Sequence, residues 1–180
     1  HEWILKIMII VSINIIKKIK VYLIQMPFLV RTSIKESNIE GAGNGRFFEQ
    51  DCKKCTLVRK QEIGSNELKV FNCKEDLEGY DVKHLEYFCH SAPIDTSYNC
   101  IFLNEPPNFT NHSNDPNVCN VYDSKYKYTY TTRDVLKGEE MCHSYAEYKL
   151  IDWYEEFIKE NNKQSVASLG RVLSNDNINK

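Results

Sequence analysis

A chain of 180 residues, 42% hydrophobic and 27% charged, can build one globular domain with a full core but is too short for two ordinary ones. Its net charge of −2 argues against a nucleic-acid binder held by phosphate contacts, so no direct nucleic-acid partner is expected. The balance is uneven: Lys6, Lys17, Lys18 and Lys20 against Glu2 give residues 1–26 a charge of +3 and leave the remainder at −5, a body suited to a basic peptide.

The first segment is apolar. Ile7 to Ile16 is an uncharged run of ten residues, about half of the ~20 that a membrane-spanning helix requires, so a membrane partner is not expected. The run is long enough for a signal-peptide core, but no small-residue cleavage site follows it. Composition changes at Met26, and Phe28 to Ile34 is rich in apolar and β-branched residues, as a strand is. Residues 1–25 are therefore read as an apolar and basic extension outside the fold, with a signal anchor as the competing reading.

Gly41, Gly43 and Gly45 then form a turn where backbone can approach a ligand closely; a plain hairpin turn accounts for the same glycines. Arg46 to Phe48 and Thr56 to Ile63 read as short strands. No helix-opening pattern follows the glycines, so a dinucleotide-binding βαβ unit is not supported. Residues 64–97 form a variable stretch in which Leu77, Tyr80, His84, Leu85 and Phe88 fall at near-helical spacing, predicting one or two short helices.

Tyr98 to Leu103 returns to strand character, and the polar loop Asn111-His112-Ser113-Asn114-Asp115-Pro116-Asn117 follows. Alone, that loop reads as turn chemistry, since Asn, Asp and Ser bond their own backbone and Pro116 fixes one φ angle. Val118 to Val121 and Tyr126 to Thr132 predict a hairpin, and Glu140 to Tyr145 a last strand. Tyr148, Ile151, Trp153, Tyr154, Phe157 and Ile158 predict an amphipathic helix over 146–162. Residues 163–180 are polar and read as a disordered tail.

Seven cysteines, an odd count without periodic spacing, favour reduced thiols inside a cell, nucleus and cytoplasm both being open. Cys52 and Cys55 form a lone pair of potential ligands where zinc needs four, so no metal site is expected.

Three stretches taken together carry more than each does alone: Glu40 to Phe47 with its glycines, the Asn-His-Ser loop at 111–117, and Arg133 to Tyr145 with Gly138-Glu139-Glu140 ahead of the tyrosine. In this order they resemble the SET-domain family of protein-lysine methyltransferases, over roughly Pro27 to Tyr154. The resemblance implies a mainly β fold with short helices (α+β), of β-clip architecture with a knot-like crossing, spanning 26–162 and ending in a C-terminal helix. It implies S-adenosyl-L-methionine as cofactor, bound by Gly43, Asn44, Gly45, Arg46, Asn111, His112 and Tyr145. Tyr145 is the implied catalytic residue, and Tyr98, Tyr148 and Trp153 are expected along the substrate channel. The implied partner is a protein presenting a lysine, a histone tail among the candidates, and the stretch 64–97 stands where the family's substrate-shaping insert lies.

Two positions depart from the family pattern, Ser144 before the tyrosine and Asn114 in the loop. No cysteine follows Cys142, so the cysteine-rich zinc segment of many members is not expected. Two other readings remain open at this stage. Asn108-Phe109-Thr110 and Asn111-His112-Ser113 are both glycosylation sequons, which fits a secreted or lumenal glycoprotein. A SET-like binding module without catalysis is the other.

Overall fold

The computed structural model describes residues 28–105 and 107–175. The expected extension over 1–25 therefore lies outside the described residues. Among the described residues, ten short strands and three α-helices make up the fold with two single turns of 3-10 helix, in keeping with the mainly β expectation: β1 Thr32–Glu36, β2 Asn44–Phe48, β3 Leu57–Glu62, β4 Leu68–Phe71, α1 Val82–Phe88, β5 Cys89–Ser91, β6 Ile101–Asn104, β7 Asn111–His112, β8 Val118–Tyr122, β9 Tyr126–Thr131, β10 Cys142–His143, α2 Asp152–Glu160 and α3 Val166–Asn175.

They pair into four small sheets: β1 with β2, β7 with β10, β3-β9-β8 and β4-β6-β5. In β9, Lys127, Thr129 and Thr131 are buried while Tyr126, Tyr128 and Tyr130 are half-exposed, the period of two that a half-covered strand imposes. The predicted hairpin of β8 and β9 is present, with Asp123 Oδ1 accepting the backbone N–H groups of Lys125 and Tyr126 to close its turn. β1 begins four residues later than predicted, Phe28 making only an isolated bridge to Arg59.

The pairing that places the site is the parallel one, Asn111 beside Cys142 and His112 beside His143. The loop then turns back, and Asn117 brackets the same strand: its Nδ2 donates to the Glu140 carbonyl at 2.8 Å and its Oδ1 accepts the Cys142 N–H at 2.9 Å. The Asn-His-Ser loop thus closes around Glu140 to His143, while β2 takes the other side through the Met141 N–H to Arg46 carbonyl bond at 2.6 Å.

A main apolar cluster sits under α1 and α2, where Phe71, Leu85, Ile101, Leu103, Tyr154 and Ile158 interlock. A second, around Phe48, Val58 and Met141, lies between β2 and β3. Burying side chains of this size contributes about 1.5–3 kcal/mol each.

Two helical expectations need correction. The helix predicted from 146 starts only at Asp152, because Ala92 and Ile94 draw the preceding residues into extended pairing: the Lys149 N–H bonds the Ala92 carbonyl at 3.0 Å and the Ile94 N–H bonds the Glu147 carbonyl at 2.9 Å. The tail expected to be disordered from 163 instead holds α3, whose Val166, Ala167 and Gly170 are buried. Ser165 caps it, its hydroxyl accepting the Ser168 N–H at 3.1 Å.

Candidate active site

Glu140, 8% exposed, ties the three sequence stretches together. Its Oε1 accepts from the Ser37 hydroxyl at 2.7 Å and from Asn111 Nδ2 at 2.9 Å, and its Oε2 accepts the Asn38 N–H at 2.8 Å. Asn111 Nδ2 also lies 3.1 Å from the Asn44 carbonyl, so the amide is held by its surroundings on both sides. This same nitrogen is the one a glycan would occupy, and its bonds to buried groups make the sequon reading of Asn111 physically unfavourable.

Gly45 makes this close approach feasible. A Cβ there would stand 2.3 Å from Glu140 Oε1 and 2.7 Å from its carboxyl carbon. Gly45 is thus a packing requirement of the Glu140 carboxylate. Gly43 takes a left-handed φ of 71° that only glycine adopts at little cost, and it turns the chain into β2.

The His112 ring accepts the Tyr145 N–H at Nδ1, 3.0 Å away. That bond assigns the proton to Nε2, which is buried without a hydrogen-bond partner. Burial lowers the His112 pKa from its ordinary value, consistent with a neutral ring. The Tyr145 hydroxyl donates to the Thr110 carbonyl at 2.8 Å, and desolvation raises its pKa above the ordinary tyrosine value. Tyr148 stacks on Tyr145 with centroids 6.0 Å apart and on His143 at 5.1 Å.

Two cavities meet at Tyr145. A groove of about 640 Å³ runs along Asn44, Phe109, Asn111, His112 and Tyr145 and is walled on its far side by Leu169 and Leu173 of α3. An inner cavity of about 40 Å³ lies behind it, lined by Arg59, His90, Asn104, His143 and Tyr148 among others. Phe88, Asn108, Thr110, Tyr145 and Val166 border both. The groove has the size of a small-molecule site and mixes apolar walls with a few fixed polar groups, as such sites do.

α3 is set against the site at one point of very close contact. A Cβ on Gly170 would lie 2.5 Å from the Tyr145 carbonyl carbon and 2.6 Å from the Ala146 nitrogen. Asn114 holds the far end of the helix, accepting the Ser174 hydroxyl at 3.0 Å and donating to the Leu173 carbonyl at 3.5 Å. The departure from the family pattern at 114 therefore serves α3.

Of the expected cofactor residues, the structure brings Asn44, Asn111, His112 and Tyr145 to the groove, while Gly43 and Gly45 shape the turn behind it. Arg46 is a correction. Its guanidinium points away into the protein, Nε donating to the Asn108 carbonyl and Nη1 to the Thr32 hydroxyl, each at 2.8 Å. Burial lowers its pKa to about 10. Arg46 positions Asn108, a wall residue, and does not face the groove.

Of the expected channel residues, Tyr148 lines the inner cavity, while Tyr98 and Trp153 line neither of these two cavities. Tyr98 bonds the Asp123 carbonyl through its hydroxyl at 2.6 Å and packs on Phe102 and Tyr122. Trp153 packs on the cluster under α2. Both are corrected to core and surface roles by the sheet and helix that carry them. Phe88, Phe109, Glu140, Leu169, Gly170 and Leu173 were not foreseen as parts of the site. Ser165 as a helix cap, with Val166, Leu169 and Leu173 at helical spacing, was the signal for the last three.

The described residues hold no cluster of three or more metal-ligating side chains, no helix long and apolar enough to cross a membrane, and seven free cysteines. The family model for the SET domain matches residues 10–146. No curated protein matches this chain.

Among solved structures, a Plasmodium falciparum protein described as a histone methyltransferase aligns at 18% identity and TM-score 0.43, over 63% of this chain and 90% of that one. A humanized mutant of the Chaetomium thermophilum Polycomb Repressive Complex 2, bound to an inhibitor, aligns at 16% identity and TM-score 0.50, over 68% of this chain and 16% of that one. The autoinhibited ctPRC2 bound to S-adenosylmethionine aligns at 16% identity and TM-score 0.50, over 74% of this chain and 17% of that one. This chain spans only about a sixth of the length of the two PRC2 chains, and at these identities the likeness is one of fold.

Proposed function

From the premise that the chain belongs to the SET-domain family, we propose that it transfers a methyl group from S-adenosyl-L-methionine to the side-chain amine of a lysine in a protein substrate. The observation that carries this reading is the position of Tyr145, whose ring borders the large groove and the inner cavity at once. A donor in the groove would meet an acceptor amine beside its hydroxyl.

The groove suits the cofactor on its own residues. His112 lines the groove, and with Nδ1 taken by the Tyr145 N–H its remaining polar group is the Nε2–H donor. Phe88 and Phe109, edge to face at 5.8 Å, and Leu169 give apolar surface for a flat heterocycle. Asn111 and Asn44 supply polar edges for the amino-acid end. When bound, the cofactor supplies an electrophilic methyl on a sulfonium, and no covalent chemistry is then asked of the protein.

What remains for the side chains is positioning and desolvation. A free lysine amine has a pKa near ~10.4 and is protonated at neutral pH. The surroundings of Tyr145 and Tyr148 are desolvated enough to raise both phenols, and the same environment disfavours an ammonium and favours the neutral nucleophile. Tyr145 orients the amine, and its hydroxyl is held in place by the Thr110 carbonyl.

A methyl-transfer assay with label in the cofactor methyl, run over histone tails and over a cell extract, tests the proposal. Label recovered as methyl-lysine after hydrolysis is the expected result. A folded protein that binds the cofactor and labels no lysine in either source would refute it.

A further inference from the structure

Arg59 of β3 is 2% exposed, and among the described residues neither it nor its neighbour Lys127, also 2% exposed, forms an ion pair. Nη1 donates to Asn104 Oδ1 at 3.3 Å, whereas Nε and Nη2 are buried with no partner. These two nitrogens form one edge of the guanidinium, the edge whose parallel N–H groups match the two oxygens of a carboxylate. The plane is held in orientation by Phe28, whose ring lies 4.8 Å from Arg59 Cζ and 4.0 Å from Arg46 Cζ.

The groups around Arg59 are also short of negative charge. Lys127 Nζ lies 2.8 Å from His90 Nε2, and Asn104 Nδ2 lies 3.3 Å from His90 Nδ1. With Asn104 Oδ1 occupied by Arg59 and Gln61, the amide must donate to Nδ1, which leaves Nε2–H to donate to a neutral Lys127 amine. Desolvation, with Arg59 beside it, lowers the Lys127 pKa well below the ordinary value, in agreement. Both ring nitrogens of His143 lack hydrogen bonds, and Glu147 stands 3.6 Å from its Nε2. Glu67 acts on Arg59 only at a distance.

We propose that the open fork of Arg59 makes the inner cavity a binding site for a carboxylate group. Its 40 Å³ is room for about three water-sized places, the bulk of a formate or acetate group and no more. Nε and Nη2 take the two oxygens, and the unsatisfied edge of a desolvated cation is neutralised. The carboxylate comes from a small free acid or from an acidic side chain of the protein substrate; the second source rests on the methyl-transfer reading, the first does not.

The test compares sodium acetate with equimolar sodium chloride at fixed pH on the full chain. Acetate at saturation raises the unfolding midpoint by about 5 °C beyond chloride in the wild type, and this increment disappears in Arg59→Lys, which keeps the charge and loses the fork. Equal midpoints in acetate and chloride with the wild type, a comparison that needs no variant, overturn the proposal, as does an acetate increment that Arg59→Lys retains. Lysine peptides with glutamate or with glutamine at the flanking positions then separate the sources. Tighter binding of the glutamate peptide, weakened by acetate, assigns the site to substrate; equal binding of the two assigns it to a free acid. Because the acetate comparison involves no methyl transfer, its failure and the failure of the catalytic reading are distinguishable.

Discussion

Asn111 Nδ2 donates to Glu140 Oε1 at 2.9 Å, and this one bond joins the Asn-His-Ser loop to the Glu-Glu strand across 29 positions of sequence. The carboxylate accepts two further donors, from Ser37 and Asn38, so it fixes the segment before the glycine turn as well. The groove wall that carries Asn44 and Asn111 is therefore built on a residue that does not line the groove.

Glu140→Gln tests that arrangement. The amide has one acceptor where the carboxylate has two, so a donor must face either the Asn38 N–H or the Ser37 and Asn111 donors. Folding stability should fall by about 1–3 kcal/mol, the cost of a buried polar group left unpaired. Affinity for S-adenosylmethionine should fall about tenfold, which is ~1.4 kcal/mol. Urea unfolding and calorimetry read the two; unchanged affinity in a destabilised protein would confine Glu140 to folding.

Gly45→Ala approaches the same bond from the other side. The added methyl would lie 2.3 Å from Glu140 Oε1 and 2.7 Å from its carboxyl carbon, in a carboxylate held by Ser37, Asn38 and Asn111. Overpacking of this kind costs about 1–3 kcal/mol. A midpoint equal to that of the wild type would mean that Glu140 swings away at no cost.

Gly170→Ala separates helix formation from docking. Alanine favours an isolated helix by about 1 kcal/mol over glycine. Here the methyl would meet the Tyr145 backbone at 2.5 Å, so α3 must move off the site. The variant should keep or gain helix content by circular dichroism while cofactor affinity falls several-fold, because Leu169 and Leu173 leave the groove. Wild-type affinity would show that the α3 wall is not used in binding.

How far this was readable beforehand differs from residue to residue. Tyr145, Asn111 and His112 were legible because their motif fixes both identity and spacing. Glu140 stood inside a quoted motif, yet its role depends on Ser37 and Asn38, over 100 positions away, a pairing that only the fold creates. Arg46 was misplaced for a similar reason: it follows the glycines in sequence, but alternation along β2 turns its side chain inward to Thr32 and Asn108. The polar ends of residues 163–180 masked α3, although Ser165 and the spacing of Val166, Leu169 and Leu173 spelled a capped helix.

Three histidines contribute to the acid response. His90, His112 and His143 all have lowered pKa values, burial being the largest cause, and His143 falls to about 3. The unfolded chain, with histidines near ~6.5, takes up these protons first on acidification. Their stabilisation is thus fully present above pH ~6.5 and lost as pH falls toward 3, at about 1.4 kcal/mol per pH unit for His143. His143→Gln should flatten the fall of the unfolding free energy between pH 6.5 and 5 by about one proton's worth. A slope identical to that of the wild type would mean that His143 is not the residue titrating.

Tyr145→Phe isolates the hydroxyl of the residue on which the catalytic reading rests. The ring, its contact with Tyr148 at 6.0 Å and the backbone bond to His112 all survive the change. Only the bond to the Thr110 carbonyl, at 2.8 Å, is lost, with a stability cost of about 1 kcal/mol. If the tyrosine only packs between groove and inner cavity, turnover stays near the parental value. If its hydroxyl orients the acceptor amine and offsets charge at the reacting centre, turnover falls by about 10²-fold, the order seen when one preorganised polar group is removed. Cofactor affinity should change little, because the hydroxyl acts where the methyl is transferred. Single-turnover rates with labelled cofactor separate chemistry from binding. A folded Tyr145→Phe protein that binds the cofactor and methylates at the parental rate would remove Tyr145 from the chemistry and pass the role to Tyr148, the phenol that lines the inner cavity three residues on.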